Sequence, residues 1–501
     1  GADINALSYT YIGFNFILTS IAVGGFFVIP SKWSYLWVIL LTPLTSFLIT
    51  GSSQMFAASQ LSIYSLPFNL VVLLFLYILR FRERNNGKPE LVAVQHFSPE
   101  MNFYSRESHR RRFDEKATVS LSLPFWGTWT VTQGHNGAHT HMKNWRHAWD
   151  FEITDRHGKF HAGKGLEPKD YYCFNKPVTA PADGWVEEIL DGIPDNDIGE
   201  VNLEQNWGNT IVLKHAEKVY TKLCHLSEGT FKVKKGDFVK RGDVLAHCGN
   251  SGRSPKPHLH FQVQADPYIG SDTIDFPLAF YIVESDGRYA LETFSRPATD
   301  QQVANIDTDD SLHRAFSFVP GQKIRFRLKT GKEEETSIRL AVEADVYNNT
   351  FIRDEDIDAK AWFRTEAGMT WFTHFEGSRD SFLYLFFLGL YRTISGYYRG
   401  LKVEDMFTLG MISSKRGMIL QDLIAPFHTF MHARYEMEFT SMDGDIGDSR
   451  AEIMSKARVS SGRKVRRSYD FRIQVEGGRI VKFSAKGKKL NSEATCTEDP
   501  S

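Results

Sequence analysis

Cysteine is scarce: Cys173, Cys224, Cys248 and Cys496 are the 4 in 501 residues. None lies close enough to another to form a Cys-based zinc motif, and so few cannot frame a disulfide scaffold. An excess of either charge is missing too. The chain carries 59 Lys and Arg against 60 Asp and Glu, so nothing global selects nucleic acid. It has no His-Glu-x-x-His helix, which excludes a thermolysin-type zinc site. The first residues are Gly-Ala-Asp rather than Met, which reads as either a fragment or a processed chain.

Charge is most absent near the N-terminus. Residues 11–30, "YIGFNFILTSIAVGGFFVIP", have none, and match the roughly 20 residues that a bilayer core requires. Residues 33–50 are similar. Residues 66–79, "LPFNLVVLLFLYIL", are short but fit a broken or tilted span. Three uncharged runs exceed what a soluble core shows and predict a helical transmembrane segment over 1–84. Arg80, Arg82, Arg84 and Lys88 follow the third run, whereas loop 51–62 has no basic residue. The positive-inside rule then places the downstream domains in the cytoplasm.

"GFNFILTSIAVGGFF" and "SLPFNLVVLLFLYIL" resemble the last part of the second repeat of a urea transporter. The resemblance covers about residues 8–82. It implies that Asn15, Phe16, Pro67 and Phe68 lie near a pore lining. It also implies that the pore needs a transporter half absent from this sequence, and the family context admits a homo-oligomer.

Residues 85–117 are polar and read as a charged linker. From about residue 118, short β runs alternate with turns: "PVTAPADGWVEEI", "NTIVLKH", "KVYTKLCHL" and "VLAHCG". "KKGD" and "KRGD" supply Gly-Asp turns suited to antiparallel hairpins. Carrier-type β domains share such turns but have no use for the histidines described next.

In "SGRSPKPHLHFQV", a strand would put His258, His260, Gln262 and Gln264 on one face and Leu259, Phe261 and Val263 on the other. The apolar face reads as core. The two histidines are either a surface pair or part of a site. Further ligand types lie upstream, in "QGHNGAHTHMKNWRHAWDFEI": His135, His139, His141, His147 and Asp150. His225 lies between. A catalytic zinc takes three protein ligands and leaves one position open. His147 is three residues before Asp150, and on a strand an odd separation puts the two on opposite faces. A histidine from the preceding loop escapes that constraint, which leaves His139 and His141.

Taken in order, the His…Asp pair, "GNTIVLKH", "CHL", "VKKGDFVKRGDVLAHCGNSGRS" and "PHLHFQV" resemble the lysostaphin-type zinc endopeptidases, which cleave peptidoglycan cross-bridges. Many members of that family have a histidine four residues before the aspartate; here Arg146 stands there. The resemblance then implies His141, Asp150 and His260 as metal ligands, with His139 the alternative to His141. It implies His225 and His258 as catalytic histidines, one Zn2+, peptidoglycan peptides as substrate, and an antiparallel β fold with a groove over its sheet. Asn209 and Gln262 are read as substrate contacts or supports of the ligands, against the simpler reading of satisfied amides.

Residues 269–485 alternate as one large antiparallel β domain, with a hairpin turn at Gly477-Gly478. "SFLYLFFLGLY", 381–391, is too short to span a bilayer and reads as a buried strand or helix. His428 and His432 are four apart with no third ligand, which favours a structural role. Residues 486–501 read as a polar, disordered tail. The expected chain is therefore multi-domain: α-helical transmembrane segment, linker, antiparallel β peptidase domain of barrel-sandwich type over 118–268, and a second β-rich domain. Its expected place is the bacterial inner membrane, crossed several times. The charge rule puts the peptidase inside the cell; a wall substrate puts it outside.

Overall fold

The computed structural model describes residues 12–59, 61–80, 88–92, 99, 103, 119–331, 334–413, 415–444, 449–462, 464–488 and 490–497. Most of the expected linker falls outside these. Contacts divide the chain into two compact units. One holds 1–109, 406–434 and 458–467; the other holds 110–405, 435–457 and 468–501.

In the first unit, α1 (Ile12–Ile21) runs into a π-helical turn, Ala22–Phe26. Next come α2 (Lys32–Ala57) and α3 (Leu66–Arg80). A capping box starts α2: the Ser34 amide donates to the Ser31 hydroxyl oxygen at 3.2 Å, and the Ser31 amide donates to that of Ser34 at 2.9 Å. Among the described residues, α2 alone is long and apolar enough to cross a membrane. The three helices share a small core around Val23, Leu41, Val71 and Phe75, while Phe47 stands 73% exposed on the outside. Asn15 is buried in this core: its Nδ2 donates to Tyr64 O at 2.8 Å and its Oδ1 accepts from Phe68 N at 3.1 Å, pinning α1 to the start of α3. Pro67 is buried there as well, and Phe16 and Phe68 are half-buried. Beyond α3 the chain returns to the start of α2, where Ile29 N donates to Glu90 O and Val92 N to Phe27 O, both at 2.9 Å.

The second unit contains two large sheets. The first has ten strands: β1 (Trp129–Gln133), β2 (Ala148–Glu152), β4 (Gly184–Leu190), β5 (Asn209–Ala216), β6 (Val219–Leu226), β7 (Phe238–Val239), β9 (Leu259–Gln264), β10 (Leu278–Ser285), β11 (Arg288–Ser295) and β12 (Gln302–Ala304). Their order is β11-β10-β12-β1-β2-β9-β6-β5-β4-β7, and β3 (Pro177–Thr179) pairs with β8 (Val244–His247) separately. The central strands pair antiparallel with their neighbours. Trp149, Phe151, Leu223, Leu259, Phe261 and Val263 enter one core. That leaves the opposite face of the central strands to polar side chains. The sheet runs past residue 268, because β10 to β12 join it beside β1.

The second sheet has twelve strands between Lys323 and Cys496, with Arg392–Ile394 at one edge and Lys402–Met406 at the other. It packs on the helix Phe382–Gly389, all of whose side chains are buried. Phe382 and Phe386 of that helix meet Phe326 and Phe483 of the sheet at centroid distances of 5.2–6.1 Å. Arg392 and Asp405, both buried, approach to 3.9 Å and bring the two edges together. Leu490–Cys496, expected within the disordered tail, is a strand paired on both sides. Its Ser, Glu and Thr content hides the alternation, and the neighbouring strands supply the order. His428 lies after a helix and His432 in the strand Met431–Asp443, so they share no helix face.

Candidate metal centre

Register brings the first two site residues together. β2 and β9 pair with Asp150 opposite His260, and directly opposed residues project from the same face. β6 pairs on the other side of β9, with Cys224 opposite His260 and Lys222 opposite Gln262. The loop after β1 then folds over β2 and delivers His141. Gln133 fastens this loop. Its Oε1 accepts from the amides of His139 and Thr140 at 3.0 and 3.2 Å, and its Nε2 donates to Asp150 Oδ2 at 2.8 Å. Gly137 is required here, since a Cβ would stand 2.3 Å from Gln133 Cγ. His139 is exposed, whereas His141 is buried. Of the two loop histidines left open by the sequence, the fold takes His141 inward.

One ligand atom from each of His141, Asp150 and His260 lies within 4.8 Å of the others, a grouping that can hold a metal ion. Asp150 Oδ1 is 3.2 Å from His141 Nε2 and 2.9 Å from His260 Nδ1. The remaining polar atoms are already committed. A carbonyl only accepts, so His141 Nδ1–H donates to Gly134 O at 3.0 Å and Nε2 is left for a cation. His260 Nε2 meets Gln262 Oε1 at 3.1 Å, which leaves Nδ1 inward. Gln262 thus supports His260, and its own Nε2 donates to Gln264 Oε1 at 2.9 Å. Metal-ligating histidines need this kind of outer bond to fix tautomer and ring angle.

The electrostatics suit a cation. Burial works against ionising Asp150, but the adjoining His141 and His260 imidazoles outweigh it and hold the carboxyl well below its usual range. Burial lowers His260 and so favours the neutral imidazole that a metal needs. Burial also opposes a charge on His141, but the Asp150 carboxylate outweighs it and raises the imidazole above its ordinary value.

Two more histidines complete the face. His258 precedes β9; its Nδ1–H donates to Lys256 O at 3.0 Å, and its Nε2 lies 3.9 Å from Asp150 Oδ1. His225 sits near the end of β6 with φ +61°, an unusual conformation for a buried residue and one that concentrates at functional sites. Its Nδ1–H donates to Ser251 O at 2.8 Å, and its ring centroid is 4.7 Å from that of His258. Burial, then the neighbouring His258 and His260, push His225 well below the usual histidine range, so it is neutral at pH 7.

The other sequence-selected residues have different surroundings. Asn209 is fully buried; its Nδ2 donates to Ile193 O at 2.7 Å and Leu226 O at 2.9 Å, and its Oδ1 accepts from Ile193 N at 2.9 Å. Both donors are spent on the framework, so Asn209 braces the end of β6 rather than reaching a substrate. His147 turns away, with its ring 5.2 Å from that of His135. Sequence reasoning missed Gln133 and Ser251, whose only signal is position beside a ligand strand or turn. It also missed an aromatic wall. Trp207 lies 5.7 Å from both the Trp145 and His260 rings, with the Lys222 ammonium 3.1 Å from its centroid.

Parts of the chain are similar to known proteins. The peptidoglycan DD-endopeptidase ShyA of Vibrio cholerae is 41% identical over 157 residues, covering 30% of this chain and 35% of that protein. Lysostaphin of Staphylococcus simulans is 38% identical over 118 residues, covering 23% of each. The catalytic domain of the prophage-encoded M23 protein EnpA from Enterococcus faecalis is 15% identical, with a TM-score of 0.22, over 31% of this chain and 94% of that one. The chain spans about a third or less of the length of these curated relatives. Residues 161–272 match the family model described as Peptidase family M23, and residues 1–80 match that described as Urea transporter.

Proposed function

We propose that this chain is a membrane-anchored zinc metalloendopeptidase that cleaves peptide cross-links of peptidoglycan. The convergence of His141, Asp150 and His260, each held from behind by a protein partner, carries the reading. Two imidazoles and one carboxylate are a donor set that zinc accepts, and three protein ligands leave a position for reaction. The M23 match and the names of the curated relatives support the reaction and the substrate class. The urea-transporter match and α2 support the membrane anchor.

A zinc ion held by these three residues supplies Lewis acidity to a water molecule and to the scissile carbonyl. The protein does the rest. His225, neutral and with its Nδ1–H tied to Ser251 O, directs Nε2 as the group that takes a proton from the attacking water. His258, its Nδ1–H tied to Lys256 O, directs Nε2 at the same centre; as an imidazolium it would donate Nε2–H to the developing oxyanion. The proton then passes to the departing amine.

Metal analysis of the whole chain in detergent tests the assignment. About one zinc per chain is expected. Asp150→Ala and His260→Ala should lose it, whereas His225→Ala should keep it and lose hydrolysis of purified peptidoglycan. Zinc retained by His260→Ala would overturn the ligand set. The urea-transporter match favours a second reading, in which the protein conducts urea and the peptidase-like domain is accessory. Urea flux into vesicles, unchanged by His260→Ala, would support it.

A further inference from the structure

The first unit joins three apolar helices to two stretches that lie more than 300 residues further along, 406–434 and 458–467. The first stretch holds α4 (Leu409–Ile412) and α5 (Lys415–Ile424), followed by a turn to Phe427; the second is a hairpin tip. Arg467 Nη1 donates to Ile412 O at 2.7 Å and Gly462 N to Phe430 O at 3.2 Å, so the two pack as one piece. This piece is unusual for a protein surface. Phe427, Ile419 and Val465 are 66, 61 and 54% exposed. Around Val465 the exposed side chains are basic: Arg458, Lys464, Arg466 and Arg467. Exposed Phe427 and Ile419, on one piece with a valine set among cations, fit a bilayer surface better than water.

Its position agrees. The Phe427 ring stacks on Tyr35 at 5.5 Å, and Tyr35 lies in the first turn of α2 beside Lys32 and Trp33. The Lys32 ammonium stands 5.8 Å from the Trp33 ring. Trp, Tyr and Lys at the end of a candidate span mark the headgroup level. The chain leaving α3 comes back to this same end, through the Ile29–Glu90 and Val92–Phe27 bonds. Phe427 therefore sits level with the aromatic and basic end of α2.

We propose that residues 406–434 and the 458–467 hairpin form a seat for a membrane surface bearing anionic headgroups. Phe427, Ile419 and Val465 enter the interface, and Lys464 and Arg466 meet lipid phosphates. The proposal rests on α2 spanning the bilayer.

The test uses the whole chain in lipid nanodiscs, in a Cys496→Ser background whose other cysteines are buried. A fluorophore is attached at Val465→Cys or Phe427→Cys and quenched by lipids spin-labelled near the headgroup. Tyr347→Cys, on an exposed turn of the second unit, is the control. At least about twofold stronger quenching is expected at 465 and 427 than at 347, weakening when anionic lipid is replaced by neutral lipid or in Lys464→Glu/Arg466→Glu. Equal quenching at 465, 427 and 347 overturns the seat; quenching indifferent to lipid charge overturns its anionic partner. A label at Phe47→Cys in α2 separates the two readings. If it escapes quenching by deep-labelled lipid, the membrane span fails and the seat fails with it. If it is quenched and 465 is not, the seat alone fails.

Discussion

Lys222 carries an amine into the floor of the site, opposite Gln262 and under the Trp207 ring. It is fully buried, and among the described residues its ammonium has no hydrogen-bond partner. Burial pushes its pKa down from 10.5 to about 8. The unfolded chain therefore holds this proton more tightly than the folded one. Below pH 8 both states carry it and the folded state bears the whole penalty. Between pH 8 and 10.5 the folded state sheds it first, so stability rises with pH, by about 3 kcal/mol in all. Unfolding of the whole chain in detergent, followed by tryptophan fluorescence, should show this rise. Lys222→Met should be the more stable protein at pH 7 and should lose the rise; a pH dependence unchanged by Lys222→Met would show that other groups cause it. Lys222 also marks the limit of the sequence. Alternation made the shared face of His258, His260 and Gln262 readable, because period two is a property of any strand. It said nothing of which strand lies beside β9, and register is what brings Lys222, Cys224 and Asp150 to that face. On strand geometry alone His139 and His141 stood equal for the same reason, since the Gln133 bonds to the loop amides are a tertiary feature.

At the scale of elements, the site depends on two loops that cross. Gly208, before β5, has φ +62°, and a Cβ there would stand 2.4 Å from Ser251 O. That oxygen accepts the His225 Nδ1–H, and the Ser251 hydroxyl accepts from Asn209 N at 2.9 Å and donates to Leu226 O at 2.7 Å. Gly208→Ala combines a left-handed backbone with a clash, and the oxygen that aims His225 must shift. The proposed metal ligands lie on β2, β9 and the loop after β1, away from this crossing. Gly208→Ala should thus keep its zinc and lose turnover, by about a hundredfold if His225 moves by an ångström. Loss of zinc in step with activity would mean that the crossing holds the whole centre. Such crossings leave little trace in sequence, since "WGN" and "NSG" read simply as turns. The helix Phe382–Gly389 shows a different limit. Its hydrophobicity announced burial, but a run that is apolar on every side has no period to tell helix from strand.

For the whole molecule, two physical arguments point to opposite sides of a membrane. Lys32 precedes the aromatic end of α2, α3 ends at Arg80, and the chain continues from that end to the candidate metal centre. Basic residues at the ends of spans favour the cytoplasm. The proposed substrate is outside. The charge rule holds for short loops, whereas large domains cross largely regardless of their charge. The second unit is large enough for that, and the proposed activity needs it beyond the membrane. Alkaline phosphatase, active only outside the cytoplasm, fused after Thr497 in a bacterial host should therefore be active, and a cytoplasm-dependent fluorescent protein at the same place should stay dark. Both fusions need the Asp150→Ala form alongside, so that damage to the wall does not release protein and mimic export. The reverse pattern would remove peptidoglycan as substrate while leaving the metal centre intact, and the peptide it cleaves would then have to be sought among cytoplasmic proteins.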